Sequence, residues 1–236
     1  MGDAMKRILL AGATLLALAT AQPTLAADAP VYRKGPAPVA AAFFNWTGFY
    51  IGAQGGYAWG SSRHTDGSAA TTGDFNLTGG LFGLTVGANW QTGNLVLGVE
   101  GDYSWARISG STPTVVGFGC AGTCNTDIWG VGTLRGRVGW AFDRVLPFVT
   151  AGVAWSNVHG SIGTPVLQES TTTLASWTAG AGVEVAVMQN LSVKVEWLYV
   201  ASPGGFIYAP AFCVAPGCAA QTNAYNIVRV GANWRF

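Results

Sequence analysis

The stretch Trp46-Thr47-Gly48-Phe49-Tyr50-Ile51-Gly52-Ala53-Gln54-Gly55-Gly56-Tyr57-Ala58-Trp59-Gly60 decides the fold. Phe49, Ile51, Ala53, Tyr57 and Trp59 share one parity, while Tyr50, Gly52, Gln54, Gly56 and Ala58 share the other. Successive side chains of a strand point to opposite faces, so a period of two marks a ribbon with one apolar side. That side faces either a protein core or hydrocarbon, and the rest of the chain decides between them.

Working outward, seven more segments repeat the pattern. Leu81 to Gln91 turns Phe82, Leu84, Val86, Ala88 and Trp90 outward, and Leu95 to Ala106 turns Leu95, Leu97, Val99, Tyr103 and Trp105. Asp127 to Trp140 gives Ile128, Leu134, Val138 and Trp140, and Val145 to Ser156 gives Val149, Ala151, Val153 and Trp155. Trp177 to Val187 presents Trp177, Ala179, Ala181, Val183 and Val185; Leu191 to Val200 presents Leu191, Val193, Val195, Trp197 and Tyr199. The last, Tyr225 to Phe236, presents Val228, Val230, Ala232, Trp234 and Phe236. Only 10% of the residues are charged, against about 25% in ordinary soluble domains. Every mature apolar run is broken by Gly, Asn, Thr or a charge before reaching the roughly 18 residues of a membrane helix. The remaining structure that satisfies its own backbone in lipid is a closed barrel. The expected fold is therefore all-β: an eight-stranded antiparallel up-and-down transmembrane β-barrel with a polar, side-chain-filled interior.

Three patterns support this. Connections alternate between long (61–74, 107–125, 157–171, 201–222) and short (92–94, 141–144, 188–190), as a barrel with both ends of its chain in the periplasm requires. Glu100, Asp102, Arg135, Arg137, Glu184, Lys194, Glu196, Arg229 and Arg235 all fall at the inward parity. A basic residue on the lipid face near the midplane would cost roughly 2–4 kcal/mol. Outward Phe49, Trp90, Trp140 and Trp234 sit near the short turns, and Trp59, Trp105, Trp155, Trp177 and Trp197 near the long loops, as two interfacial girdles would. A water-soluble β core accounts for the number of aromatics but not for this segregation.

Lys6 and Arg7 precede an apolar stretch from Ile8 to about Ala21, with Thr24 and Ala26 at signal-peptidase spacing. Residues 1–26 are expected to be a cleaved export signal whose true start is Met1 or Met5. Residues 27–44, rich in Ala and Pro, read as a periplasmic linker, and residues 45–236 as the barrel. Net charge is +1 with no basic patch interleaved with aromatics, which argues against nucleic acid.

The run Asn45-Trp46-Thr47-Gly48-Phe49-Tyr50-Ile51-Gly52, with Gly55-Gly56-Tyr57, resembles the opening strand of alphaproteobacterial RopB-type outer-membrane proteins, grouped with opacity-protein-like barrels. The resemblance continues at Leu134-Arg135-Gly136-Arg137-Val138-Gly139, at Leu146-Pro147-Phe148-Val149-Thr150-Ala151-Gly152 and at the ending Val228-Arg229-Val230-Gly231-Ala232-Asn233-Trp234-Arg235-Phe236. It implies an abundant surface component of the outer membrane, with some relatives porin-like or haemin-binding, and brings no catalytic residues. Trp234 and Phe236 also resemble the signal read by the barrel-assembly machinery.

Eight strands enclose a lumen that side chains can fill, whereas water-filled porins use roughly 16–18 strands. Bare charges are costly there, so the nine inward ions are expected to pair as a plug, and a narrow ion path is the alternative. All four cysteines fall in long loops of an exported chain. Cys120 with Cys124 and Cys213 with Cys218 is the expected pairing, and other connectivities stay open. No histidine lies near enough to complete a metal set with Cys120 and Cys124, and no cofactor is expected. His159-Gly160-Ser161 with Glu169 is the one hydrolase-like grouping; its loop position argues for a solvated cluster, as does the surface composition around His64. Phe206, Tyr208 and Phe212 could stack on a planar ligand or pack over the barrel mouth. Expected partners are outer-membrane lipid, lipopolysaccharide and the assembly machinery, with a host or cell-surface ligand open.

Overall fold

The computed structural model describes residues 44–65, 70–113, 123–163, 168–208 and 218–236. Its strands are β1 (Gly48–Thr65), β2 (Phe75–Thr92), β3 (Leu95–Thr112), β4 (Cys124–Trp140), β5 (Val145–Ile162), β6 (Gln168–Ala186), β7 (Leu191–Val200), β8 (Gly204–Tyr208) and β9 (Cys218–Arg235). Antiparallel pairing runs β1-β2-β3-β4-β5-β6-β7-β9 and returns from β9 to β1, with Tyr50 opposite Arg235. That ring has eight members. β8 pairs only with the upper part of β9, in the place that β7 vacates after Val200.

The expected period of two holds across the membrane-height part of every ring strand. All nine inward ions are buried, none more than 9% exposed. Phe49, Trp90, Trp140 and Trp234 are exposed on the outer wall at the short-turn end, and Trp59, Trp105, Trp155, Trp177 and Trp197 at the other. The turns are tight: Gly93 and Asp143 take positive φ of 61° and 54°, a conformation Asp tolerates better than most side chains.

Above the outer girdle the expectations need correction. The long connections are shorter than read, because β1, β3, β4, β5, β6 and β9 continue their ladders into the segments assigned to loops. Above the hydrocarbon both faces accept polar residues, so the lipid-facing signature ends before the hydrogen bonding does. Ile128, expected outward, is fully buried inside the barrel, and Trp129 is outside. The reason is an irregularity in β4 between Ile128 and Gly130, where an extra residue reverses the parity.

The interior is likewise less uniformly polar than expected. Leu77, Ile108, Ile128, Val158, Leu198 and Ile227 belong to one buried apolar cluster that fills the lumen toward the long connections. Phe206 of β8 packs against it, which favours the packing alternative for that residue. The side chain of Tyr208, and Phe212, lie outside the described residues.

Candidate functional site

The lumen is the site, and it is layered. At the short-turn end Phe44 and Trp46 turn into the barrel mouth and join Val96, Ala141, Leu146 and Ala186 in a buried cluster. Asp143 holds them: its Oδ1 accepts from the Phe44 amide at 2.8 Å, and its carbonyl accepts from Trp46 Nε1 at 2.9 Å. Arg235 lies 4.3 Å from the Phe44 ring centre and 4.6 Å from that of Trp46. A cation over an aromatic face is stabilised by the ring quadrupole, more so when desolvated. Arg235 therefore joins an aromatic stopper and not the carboxylate network expected for it. Nothing in the spacing of Phe44 and Trp46 announced this, because they sit where the Ala/Pro stretch meets the first strand.

Above the stopper lies an ionic belt. Arg135 is at its centre. Its Nη2 donates to Asp102 Oδ2 at 2.9 Å and to Glu100, its Nη1 to Glu196 and to Thr150 Oγ1, and its Nε to Thr133 Oγ1 at 2.9 Å. Arg229 Nη1 donates to Asp102 Oδ1 at 2.9 Å and its Nε to Glu196 Oε2 at 2.8 Å. Lys194 Nζ reaches Glu100 Oε2 at 2.7 Å, and Arg137 Nη2 reaches Glu184 Oε2 at 2.7 Å. Four carboxylates thus face four bases, so this belt is formally neutral. Cross-strand register brings them together: Glu100 is opposite Arg135, Glu184 opposite Lys194, and Glu196 opposite Arg229.

Neutral donors complete the belt, and sequence reasoning missed their part in it. Tyr50 Oη donates to Glu100 at 2.8 Å, Asn233 Nδ2 donates to Glu184 at 3.0 Å, and Ser192 donates to the same Glu184 carboxylate. Their signal was parity alone, since each sits at an inward position. Tyr50 also needs Gly87 opposite it, where an added Cβ would lie 2.3 Å from the phenol ring. Buried charges are costly unless paired, and every carboxylate of the belt meets a base, although Arg137 Nε and Asn233 Oδ1 are buried without a hydrogen-bond partner among the described residues.

The apolar layer follows, and above it a small polar and sulfur group. Ser62 Oγ and His64 Nε2 both meet Thr126 Oγ1, at 3.0 and 2.8 Å. His64 is therefore an interior residue of β1, not part of a solvated loop. Cys124 is buried with a free thiol, so the expected bridge from Cys120 to Cys124 is not made; Cys124 points into the lumen from β4, beside Ile162 and Cys218 in one cluster. Cys218 is disulfide-bonded, while Cys120 and Cys213 lie outside the described residues.

The hydrolase-like grouping also moves. His159 and Ser161 belong to β5, and His159 is buried. Its Nδ1 meets Thr171 Oγ1 at 2.9 Å, its Nε2 lies 3.5 Å from Glu169, and Ser161 Oγ accepts from Asn125 Nδ2 at 3.4 Å. Among the described residues no hydrogen bond joins Ser161 to His159, the contact a nucleophile and its base require. The same residues contain no group of three or more metal-ligating side chains.

The description "outer membrane protein beta-barrel domain" belongs to a family model that matches residues 11–236. The chain belongs to that family. Its 31 kDa outer-membrane immunogenic relative from Brucella melitensis is 34% identical over 212 residues, covering 83% of this chain and 86% of that one. The 25 kDa outer-membrane immunogenic protein of Brucella abortus is 33% identical over 202 residues, covering 83% and 84%. The crystal structure of Neisserial surface protein A aligns over 80% of this chain and 98% of that one, with 16% identity and a TM-score of 0.41. As an outer-membrane β-barrel, the chain sets its exposed apolar wall in the bilayer, its short turns in the periplasm and its long connections outside.

Proposed function

We propose that this outer-membrane barrel is a sealed, non-catalytic envelope component whose upper strands are displayed at the cell surface. The observation that carries the reading is the stacking of unlike seals in one lumen: an aromatic stopper, a neutral ionic belt and an apolar layer. An ion would have to break paired charges and then cross hydrocarbon without water, so each layer opposes conduction by a different means. The immunogenic relatives support display of the upper strands to the outside. Outer-leaflet lipid and lipopolysaccharide are its surroundings, and the barrel-assembly machinery inserts it. Trp234 and Phe236, both exposed, suit recognition by that machinery.

Planar-bilayer recording of the refolded protein tests this. The expected result is no steady conductance. Steady conductance abolished by altering Arg135 and Glu100 together would assign the narrow-channel function instead.

A further inference from the structure

Above the outer girdle the barrel carries a polar recess on its outside wall. β5 pairs with β6 without a register break, so the outward parity of Val153 and Trp155 runs on through Asn157 and His159 to Ser161. On β4 the reversal below Ile128 puts Asn125, Asp127 and Trp129 on that same outer face. Register then aligns three strands: Ser109 is opposite Asp127, which is opposite His159, and Ser111 is opposite Asn125, which is opposite Ser161. Together they line a recess of about 550 Å³, within the usual range of small-ligand sites.

The recess has its platform in place. Trp129 stacks on His159 with ring centres 4.6 Å apart and 16° between planes, yet is 54% exposed, so its other face is open. The bonds from His159 to Thr171 and toward Glu169 hold the pair in position. Asp127 lines the recess half-buried beside the His159 ring. An open aromatic face beside a carboxylate, an amide and hydroxyls suits a sugar ring, whose C–H face stacks while its hydroxyls donate and accept.

Height and charge identify the bearer. His159 lies four residues beyond Trp155, about 13 Å along the strand and about 10 Å above the interface at a tilt near 40°. That exceeds the roughly 5–8 Å of a phospholipid headgroup zone. Between girdle and recess, on the same face of β3, stands the exposed Arg107. A cation near the acyl boundary with hydroxyl-binding groups above it matches an anionic lipid that carries a saccharide. We infer that Asp127, Trp129, His159 and Ser161 form a binding site for the saccharide headgroup of an anionic outer-leaflet glycolipid, with Arg107 meeting its membrane-proximal charge. The inference rests on the barrel's orientation given above.

The test uses full-length mature protein in phosphatidylcholine nanodiscs, with the Trp129 indole N–H resonance assigned by loss in Trp129→Phe. Lipopolysaccharide bearing its core saccharide, lipid A lacking that core, and the free deacylated core are titrated separately. The core-bearing lipid should shift the resonance saturably, at least fivefold more tightly than either other probe. Asp127→Ala and Ser161→Ala should each weaken it at least threefold while keeping the heat-dependent gel-mobility shift of a folded barrel. No shift, equal response to lipid A, equal response to the free saccharide, or unchanged affinity in both variants would overturn the inference. Planar-bilayer silence would be unaffected by any of these results, so this failure and failure of the sealed-barrel reading are separable.

Discussion

The lower and upper halves of the lumen are sealed by opposite chemistry. Around Arg135 the interior is ionic, every carboxylate held by at least one base. One or two residue pairs higher, around Leu198, it is hydrocarbon. The lower seal is directional and fails if one partner is lost, since the remaining charges are stranded. The upper seal depends on volume and tolerates changes that conserve it. Their order follows the membrane: the ionic belt lies within the apolar outer band, where strand charges have only the lumen to occupy, and the apolar layer begins at the outer girdle.

The largest effect should come from breaking the belt on one side. Arg135→Met removes the donor shared by Glu100, Asp102 and Glu196 and should destabilise the barrel by about 3–5 kcal/mol, read as a lower urea midpoint in lipid vesicles. A midpoint equal to wild type would mean that the belt is hydrated and not a seal. Leu198→Ala in the upper layer should cost about 2–5 kcal/mol, whereas Leu198→Met should cost less than about 1.5 kcal/mol. Comparable losses in both would remove the contrast between volume-dependent and partner-dependent halves.

The smallest effect lies outside both seals. Arg63 Nε donates to Asp74 Oδ1 at 2.9 Å on the exposed upper rim, and this bond, more than any other influence, holds the Asp74 carboxyl below the ordinary range. A carboxyl depressed by folding contributes stability above its unfolded value and loses it as pH falls through the folded one. For so exposed a pair that contribution is small. NMR titration of Asp74 should give a midpoint below that of an ordinary aspartate, returning upward in Arg63→Ala with no detectable change in urea midpoint.

Where the hydrocarbon imposes one rule, the strands are legible: alternation from Phe49 to Trp59 marks the ring, and the inward parity of nine ions marks the eight belt residues together with Arg235, which parity alone does not assign to the stopper. Where it ceases to impose that rule, legibility failed. Ile128 looked lipid-facing because an apolar residue in a lumen carries the same local signal as one in a membrane, and the irregularity beside it is invisible to a strict period of two. His64 and His159 looked like loop residues because polar neighbours on both faces conceal a continuing ladder. Alternation makes Trp46 the start of a strand, yet its indole serves as a stopper, a role fixed by Asp143, 97 positions away. Cys124 and Cys120 suggested a bridge by spacing, but β4 turns the Cys124 side chain inward.

The central claim is tested most directly at Ser104, buried between the belt and the apolar layer. In a background with the four native cysteines replaced, Ser104→Cys is exposed to a water-soluble thiol reagent from either side of reconstituted vesicles. Two intact seals predict protection from both faces until the barrel is unfolded. Rapid labelling of the folded protein from either face would contradict the account.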